Sequence, residues 1–268
     1  MTQWNSRPKR AAQIKQIAGD SAGSATGSLI GFLVAGPLGA VVGGVATPPI
    51  AKVVSQLLGG AEEWSERRAR LVLTLAAERI ANRRAAGESP RADGFVAAGD
   101  GRSAAEELVE AVIQSAARDP EERKIPLMAA LLAAIPFRED VDRGSANLLV
   151  RFADELSYRQ LCLLAIFRRA ESLSLRMEDY ISWENTDRKE LASELGAVLS
   201  EAFDLYNRGL IDGIEGAMGL RLDSHLTMLY VTPGKMRVQG VGLWLHDLMG
   251  LGDVADSELA PLVEILSR

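Results

Sequence analysis

The side chains best suited to chemistry in this chain are two histidines and a cysteine. His225 and His246 lie far apart, and neither has a partner at the spacing of a metal-binding motif. A zinc site needs three or four nitrogen, sulfur or carboxylate ligands. Cys162 lies in the apolar run LCLLAIF, which is typical of a buried helix position, whereas a nucleophilic thiolate needs an electropositive environment. These residues therefore predict neither a metal site nor a thiol nucleophile.

Motifs for phosphate binding and acid–base catalysis lead to the same prediction. The chain contains no GxGxxG and no GxxxxGK[ST] pattern, and the stretch GPLG at residues 36–39 lacks the lysine of a phosphate-binding loop. The carboxylate pairs Glu62-Glu63 and Glu121-Glu122 lie where helices are predicted to begin, and the helix dipole favours acidic side chains there. We therefore predict a protein that is not an enzyme and uses no cofactor.

Small residues recur at every fourth position within a stretch that carries no charged side chain. This stretch runs for 31 residues between Asp20 and Lys52. On a helix, the four-residue spacing leaves one face nearly flat, so that another backbone can approach closely. Glycine in a water-soluble helix costs about 1 kcal/mol relative to alanine, and the pattern therefore indicates packing against lipid or another backbone. The series begins at Gly19, just before Asp20, and continues with Gly23, Gly27, Gly31, Ala35, Gly39 and Gly43.

The pair Gly36-Pro37 divides this stretch into two legs of nearly equal length. A single helix from Ala22 to Ile50 would be about 43 Å long, which exceeds the ~30 Å hydrocarbon core of a bilayer, and it would carry proline in its middle. Two legs folded at Gly36-Pro37 would each reach about 23 Å. The sequence thus predicts a glycine-zipper helical hairpin that turns at Pro37. A hairpin buried in a soluble protein and a disordered segment are the alternatives.

Basic side chains flank the glycine-rich segment, whereas the C-terminal half is acidic. Residues 1–20 and 52–87 each carry a net charge of +3, and residues 151–268 carry −7. The overall charge of −6 argues against a general nucleic-acid binder. The basic flanks are placed to meet anionic lipid headgroups. The side chains predicted to make these contacts are Lys9, Arg10, Lys15 and Lys52.

Cysteine usage and the N-terminus indicate a reducing compartment. A single cysteine and a polar N-terminus without a secretory signal fit the cytosol. The positive-inside rule keeps the basic N-terminus on the cytoplasmic side. Serine and threonine dilute the hydrophobicity of the glycine-rich segment. We therefore predict that the protein lies in the bacterial inner membrane, or in the cytoplasm with conditional insertion into that membrane.

Beyond this segment the sequence predicts a mainly α-helical fold. Ser103 and Glu106 form a capping-box signature, Gly209 is placed to end a helix, and Pro233-Gly234 marks a turn before a returning strand. Turn-forming residues at 87–102 make that stretch the best linker candidate. The predicted helices are 50–84, either continuous or broken at Gly59-Gly60, 103–117, 119–135 with a bend at Pro126, 143–155, 158–171, 187–208, 241–250 and 256–266, and the predicted strands are 219–222, 226–231 and 236–239.

Helices followed by a β-hairpin and a final helix form the order of a winged-helix-like domain. A helix that enters the DNA major groove carries basic or amide side chains, whereas the corresponding helix here carries Glu190, Glu194, Glu201 and Asp204. Because phosphates repel carboxylates, we predict protein binding or oligomerisation here. The predicted domains are 1–58, the basic N-terminus and glycine-rich hairpin; 59–102, an amphipathic helix and linker; and 103–268, a helical and winged-helix-like sensing or interaction domain.

Four stretches between residues 103 and 250 follow a recognisable pattern. They read EERKIPLMAALLAAI, FADELSYRQLCLLAIFRR, RGLID and LYVTPGKMRVQGVGLWLHDLMGL. This part of the chain resembles the Abi-alpha group of abortive-infection proteins and related phage-defence proteins. The resemblance implies a defence effector that joins a membrane-active part to a sensing domain, and it supplies no catalytic residues. The corresponding positions are Leu131-Leu132-Ala133, Leu156-Ser157 with Leu161 and Leu164, Gly209-Leu210-Ile211, and Thr232-Pro233-Gly234.

Together these patterns predict a non-enzymatic bacterial phage-defence effector of the abortive-infection kind. Its glycine-zipper hairpin would insert into or perturb the inner membrane, as an oligomer that forms a pore, under the control of the C-terminal domain. The expected partners are membrane lipids, further copies of this chain and a protein trigger. One alternative is a soluble winged-helix regulator that binds DNA or a partner protein. Another is a scaffold whose glycine hairpin mediates soluble oligomers.

Overall fold

The computed structural model describes residues 54–55, 57–59, 62–96, 102–178, 194–213, 218–223 and 226–268. These residues are mainly helical, with a small antiparallel β-hairpin near the C-terminus, which confirms the predicted fold class at this level. The chain divides into two compact units, Met1–Asp154 and Glu155–Arg268. This division falls inside the region 103–268, which the sequence suggests as one domain.

Four α-helices form most of the described part of the first unit. The third of them is apolar all round, and every one of its residues except Pro126 is buried. Such a helix needs cover on all sides, and the first and second helices pack against it. It is therefore the centre of the unit. The helices are α1 (Glu63–Ala85), α2 (Ala104–Arg118), α3 (Ile125–Ala134) and α4 (Arg143–Glu155).

Local sequence signals set several helix ends in this unit. The hydroxyl of Ser103 accepts the backbone N–H of Glu106, and the Glu106 carboxylate accepts the N–H of Ser103, which confirms the predicted capping box. The predicted bend at Pro126 is wrong. A 3-10 turn, Glu122–Lys124, precedes α3, and Pro126 lies in the first turn of that helix, where its missing N–H has no intrahelical partner to lose.

Residues 87–96, the first part of the stretch that the sequence suggests as a linker, are held against the rest of the first unit by Arg91. Its guanidinium is buried and donates to the carbonyl oxygens of Arg138 and Val141 at 2.6 and 2.5 Å. It also forms a two-bond ion pair with Asp93, and this hydrogen bonding holds the pKa of the Asp93 carboxyl below its ordinary value. A turn-rich composition alone does not reveal such an anchor, because the carbonyl groups that bind it lie far away in the sequence.

The second unit is built around a buried helix that begins at a capping box. Ser157 and Gln160 exchange the two hydrogen bonds of this motif, and every residue from 160 to 167 is buried. This helix packs against the other helices of the unit and against its last strand. The elements are α5 (Tyr158–Arg168), α6 (Glu194–Asn207), β1 (Ile211–Gly213), β2 (Met218–Asp223), β3 (Leu226–Val231), β4 (Met236–Val238), α7 (Val241–Leu248) and α8 (Asp256–Ser267).

The four strands form two antiparallel ladders, and the pairing of residues in one ladder continues the pairing in the other. Ile211 pairs with Val238 in the β1–β4 ladder, and Asp223 pairs with Leu226 in the β2–β3 ladder. Equal lengths of chain, 214–217 and 232–235, separate the ladders. The strands therefore follow the course of a single long hairpin whose direction reverses between Asp223 and Leu226.

Two boundaries in this unit differ from the sequence-based expectation. The turn predicted at Pro233-Gly234 is not the hairpin reversal, because Pro233–Lys235 forms a 3-10 turn within the returning arm. Helix α5 ends at Arg168, before its predicted end, and a further 3-10 turn, Ala170–Ser172, follows it. Gly209 has a φ of 69° just beyond α6, and this left-handed conformation confirms its predicted place after a helix end.

Candidate interaction surfaces

The residues that the sequence assigns to the membrane lie outside the part of the chain that the structure describes. The predicted glycine-zipper hairpin and its flanking cations therefore remain predictions. The packing positions are Gly19, Gly23, Gly27, Gly31, Ala35, Pro37, Gly39 and Gly43, and the headgroup contacts are Lys9, Arg10, Lys15 and Lys52.

The first turns of α1 carry an exposed stripe, which we define as Trp64, Arg67 and Leu71. Trp64 is 59% exposed and Leu71 is 42% exposed. Residues seven apart lie on the same side of a helix, so these two side chains share one face. The Arg67 guanidinium lies between them in sequence, 5.4 Å from the centre of the Trp64 ring. The stripe thus combines an indole, an aliphatic side chain and a cation over two helical turns.

The stripe lies on the side of α1 opposite its buried residues. The buried residues of α1 recur at helical spacing, from Ala69 through Leu73 to Ile80, and α1 packs against α2 and α3. Within α1 there are six arginines and three glutamates. An indole on the outer face of this helix leaves apolar ring area in contact with water, whereas burying that area would be favourable. An exposed tryptophan here is therefore a candidate for contact with something outside the first unit.

In the second unit, the acidic side chains of α6 are paired with the start of α5. The Glu201 carboxylate accepts two hydrogen bonds from the Arg159 guanidinium, at 2.7 and 3.1 Å. The Asp204 carboxylate accepts hydrogen bonds from Gln160 at 2.7 Å and from Arg208 at 2.8 Å. These contacts hold the capped end of α5 against α6.

This network changes the argument about nucleic acid. Glu201 and Asp204, which the sequence assigns to the helix that would enter the groove, are half-buried and bind cations and an amide of the same unit. The exposed positions of α6 instead carry neutral or acidic side chains, namely Glu194, Ala197, Ser200 and Asn207. A major-groove helix needs donors such as arginine or lysine there. The described outer face of α6 therefore remains unsuited to DNA, for a different reason.

The returning arm of the hairpin packs closely on the loop that follows α5. Thr232, Pro233 and Gly234 are buried, and the Gly234 N–H donates to the carbonyl oxygen of Arg176 at 2.9 Å. A β-carbon on Gly234 would lie 3.0 Å from the carbonyl oxygen of Arg176 and 3.3 Å from that of Leu175. The sequence TPG therefore places one backbone close to another, where a side chain would be crowded. Its role in the structure is to attach the hairpin to the helical part of the unit.

A buried lysine and the polar groups near it are partners of one another inside the first unit. Lys124 is almost fully buried, forms an ion pair with Asp119 and donates to the backbone carbonyl oxygen of Asp154 at 3.0 Å. Asp119 also accepts the N–H of Glu121 at 2.8 Å, and the Ser115 hydroxyl donates to the Asp154 carboxylate. These groups connect the end of α2 with the end of α4. They stabilise the first unit, and the Lys124 ammonium group has its partners within that unit.

The cysteine and one of the two histidines lie in the described part of the chain. Cys162 is buried in α5, which confirms the interpretation of its apolar surroundings. The Nδ1 atom of His246 lies 3.0 Å from the Asp247 carboxylate, and His225 is outside the described residues. Within the described ranges, no group of three or more histidine, cysteine or acidic side chains could hold a metal ion.

Neither the described helices nor the comparisons with known proteins show a membrane span or a relative. Among the residues that the structure describes, no helix combines the length and the apolar character that crossing a membrane requires. Comparison with known protein families, curated proteins and solved structures finds no match for this chain.

Proposed function

We propose that this chain is a non-enzymatic bacterial phage-defence effector that inserts into or perturbs the inner membrane through its glycine-rich segment. The observation that carries the proposal is the 31-residue stretch between Asp20 and Lys52, which lacks charge and repeats small residues at every fourth position. Such spacing is typical of helices that pack closely in lipid. The resemblance to the Abi-alpha group supports the assignment to abortive infection.

The physical basis of the proposed activity is close packing of backbones in an apolar solvent. A glycine-zipper hairpin presents flat faces, so several copies can assemble with their helices in close contact. The basic flanks then lie at the cytoplasmic headgroups, where anionic lipid attracts them. Serine and threonine make the segment only moderately apolar, which favours conditional insertion from the cytoplasm over a permanent anchor.

We assign control of this activity to the second unit, as a winged-helix-like module that binds a protein partner or further copies of the chain. Two helices, a β-hairpin and further helices follow the order of such a module. The outward positions of α6 lack the cations that DNA recognition requires, which supports a protein partner. The buried Gly234, whose N–H donates to the carbonyl oxygen of Arg176, indicates a firmly attached arm.

The test compares two triple variants of the full-length chain. Leucine at Gly27, Gly31 and Gly39 fills the flat face, and we expect it to abolish dye leakage from anionic liposomes and depolarisation of expressing cells. Alanine at the same three positions keeps the residues small and is the matched control, which we expect to retain leakage. Leakage that survives the leucine substitutions would contradict the glycine zipper, and a wild-type chain that never leaves the supernatant would favour the soluble regulator.

A further inference from the structure

We propose that the exposed stripe on α1, Trp64 with Arg67 and Leu71, is a docking face for an anionic lipid bilayer. The inference rests on the proposed function and extends it to a surface outside the glycine-rich segment. In this arrangement the first unit lies on the membrane with the stripe towards the headgroups. The buried face of α1 continues to hold α2 and α3.

The chemistry of the stripe fits the boundary between headgroups and acyl chains. Tryptophan concentrates at this boundary because its ring is apolar and its indole N–H is polar. Leucine contributes apolar area on the same face, and arginine extends its charged end towards phosphate while its stem lies on apolar surface. The Arg67 guanidinium already lies over the Trp64 ring, so the cation and the indole can meet the boundary together.

The course of the chain argues for lipid as the occupant. Lys52 closes the uncharged stretch only 12 residues before Trp64. Twelve residues span about 18 Å as a helix and at most about 40 Å when fully extended. When the glycine-rich segment enters a bilayer, Trp64 is therefore held within reach of the surface of that bilayer. This tether raises the effective concentration of the stripe at the membrane.

Charge and area favour lipid over a second copy of the chain. The stripe itself supplies one cation, Arg67, and a basic residue near an anionic surface adds to the attraction. A stable protein–protein interface buries about 800 Å² on each partner. Two exposed apolar side chains on two helical turns are a small part of that area. A lipid surface requires no such complementary patch.

The test uses full-length protein in which Trp64 is the only tryptophan, through the substitutions W4F, W183F and W244F. Vesicles of phosphatidylglycerol and phosphatidylethanolamine are prepared with acyl chains brominated just below the headgroups. We expect a blue shift of the Trp64 emission and strong quenching by the bromines. The variant W64S/L71S should sediment with unbrominated vesicles at least about tenfold more weakly, given the apolar area that it loses. Thr74→Ser, farther along the exposed side of α1, is the control and should bind as the parent does.

The outcomes separate this docking face from the glycine zipper. If G27L/G31L/G39L abolishes leakage while the Trp64 quenching persists, docking stands on its own. If wild-type protein causes no leakage but Trp64 is still quenched, the proposed function fails and docking stands. Unquenched Trp64 in protein that sediments with vesicles overturns docking, as does equal binding of W64S/L71S. A lipid-free dimer that W64S/L71S converts to a monomer would assign the stripe to a second copy and would also overturn the proposal.

Discussion

The backbone of Gly242, in the first turn of α7, lies directly against the carbonyl group of Leu210 at the base of the hairpin. A β-carbon on Gly242 would lie 2.1 Å from the Leu210 oxygen, a distance that no side chain can adopt. The same oxygen accepts the N–H of Gln239 at 3.0 Å. Helix α7 and the two arms of the hairpin are thus joined at one point through backbone atoms.

Gly242→Ala should therefore destabilise the second unit. The added methyl group must displace backbone, and overpacking of this kind typically costs about 1–3 kcal/mol. Urea unfolding monitored by circular dichroism measures the loss. Gly252→Ala is the matched control, because its β-carbon would lie 3.7 Å from His246, an ordinary contact. Equal stability of Gly242→Ala and Gly252→Ala would show that the hairpin base moves freely relative to α7.

The buried ion pair between Lys124 and Asp119 supports a second prediction. Their side chains are 2% and 7% exposed, so removing one partner leaves an uncompensated charge away from water. Lys124→Met should lower the free energy of unfolding of the first unit by about 3–5 kcal/mol. Thermal and urea unfolding of the full chain measure this change.

The double variant Lys124→Met/Asp119→Asn tests the reason for that loss. If the unpaired carboxylate causes most of it, the double variant should recover part of the stability that Lys124→Met loses. This explanation would be contradicted if the double variant were less stable than Lys124→Met by the same amount that Asp119→Asn alone destabilises the wild type. The loss would then come from packing of the lysine stem and from the hydrogen bond to Asp154.

Local signals in the sequence predict much of the helical fold. The capping box at Ser103 and the left-handed glycine at Gly209 each involve neighbouring residues, so the pattern of residue types is sufficient. Strand β3 is predicted with its observed bounds, because a run of apolar and β-branched residues favours an extended chain. The hairpin reversal was wrongly predicted at Pro233-Gly234 because proline and glycine mark a local bend without showing which strands pair across it.

The sequence does not reveal contacts between residues that lie far apart along the chain. Arg159 and Glu201 lie 42 residues apart, and Arg91 and Val141 lie 50 apart, so neither pairing leaves a periodic pattern. Burial of Lys124 is equally hidden, since a lysine in a polar stretch is typical of an exposed position. The stripe on α1 was also missed as a surface, although the spacing of Trp64 and Leu71 by seven residues is a signal that could have found it.

Arg91 should control the accessibility of the chain around Phe95. Its guanidinium binds backbone carbonyls at 138 and 141 and lies 4.3 Å from the Phe95 ring. Arg91→Ala removes these contacts, and we expect chymotrypsin to cleave after Phe95 several times faster than in the wild type. Limited proteolysis with mass spectrometry measures the rate. Arg70→Ala removes an exposed ion pair with Glu66 and should leave the rate unchanged, and equal rates for both variants would contradict an anchoring role for Arg91.

Tyr158 should remain protonated at a pH where an ordinary tyrosine ionises. Burial raises the pKa of its phenol above 10.0, and the hydrogen bond to the Glu258 carboxylate raises it further. Above pH 10.0 the unfolded chain therefore loses this proton while the folded chain keeps it, so the stability of the second unit falls as the pH rises. Tyr158→Phe should lessen this fall, as measured by urea unfolding at a series of alkaline pH values.

Tyrosinate absorbance reports the same group directly. One of the four tyrosines should ionise later than the others in the folded protein, and Tyr158→Phe should remove that late step. Glu258→Gln keeps an oxygen that can accept the phenol hydrogen bond but removes the negative charge, so the late step should move to lower pH without disappearing. A titration in which all tyrosines ionise together, unchanged by Glu258→Gln, would show that the contact between α5 and α8 leaves the phenol open to water.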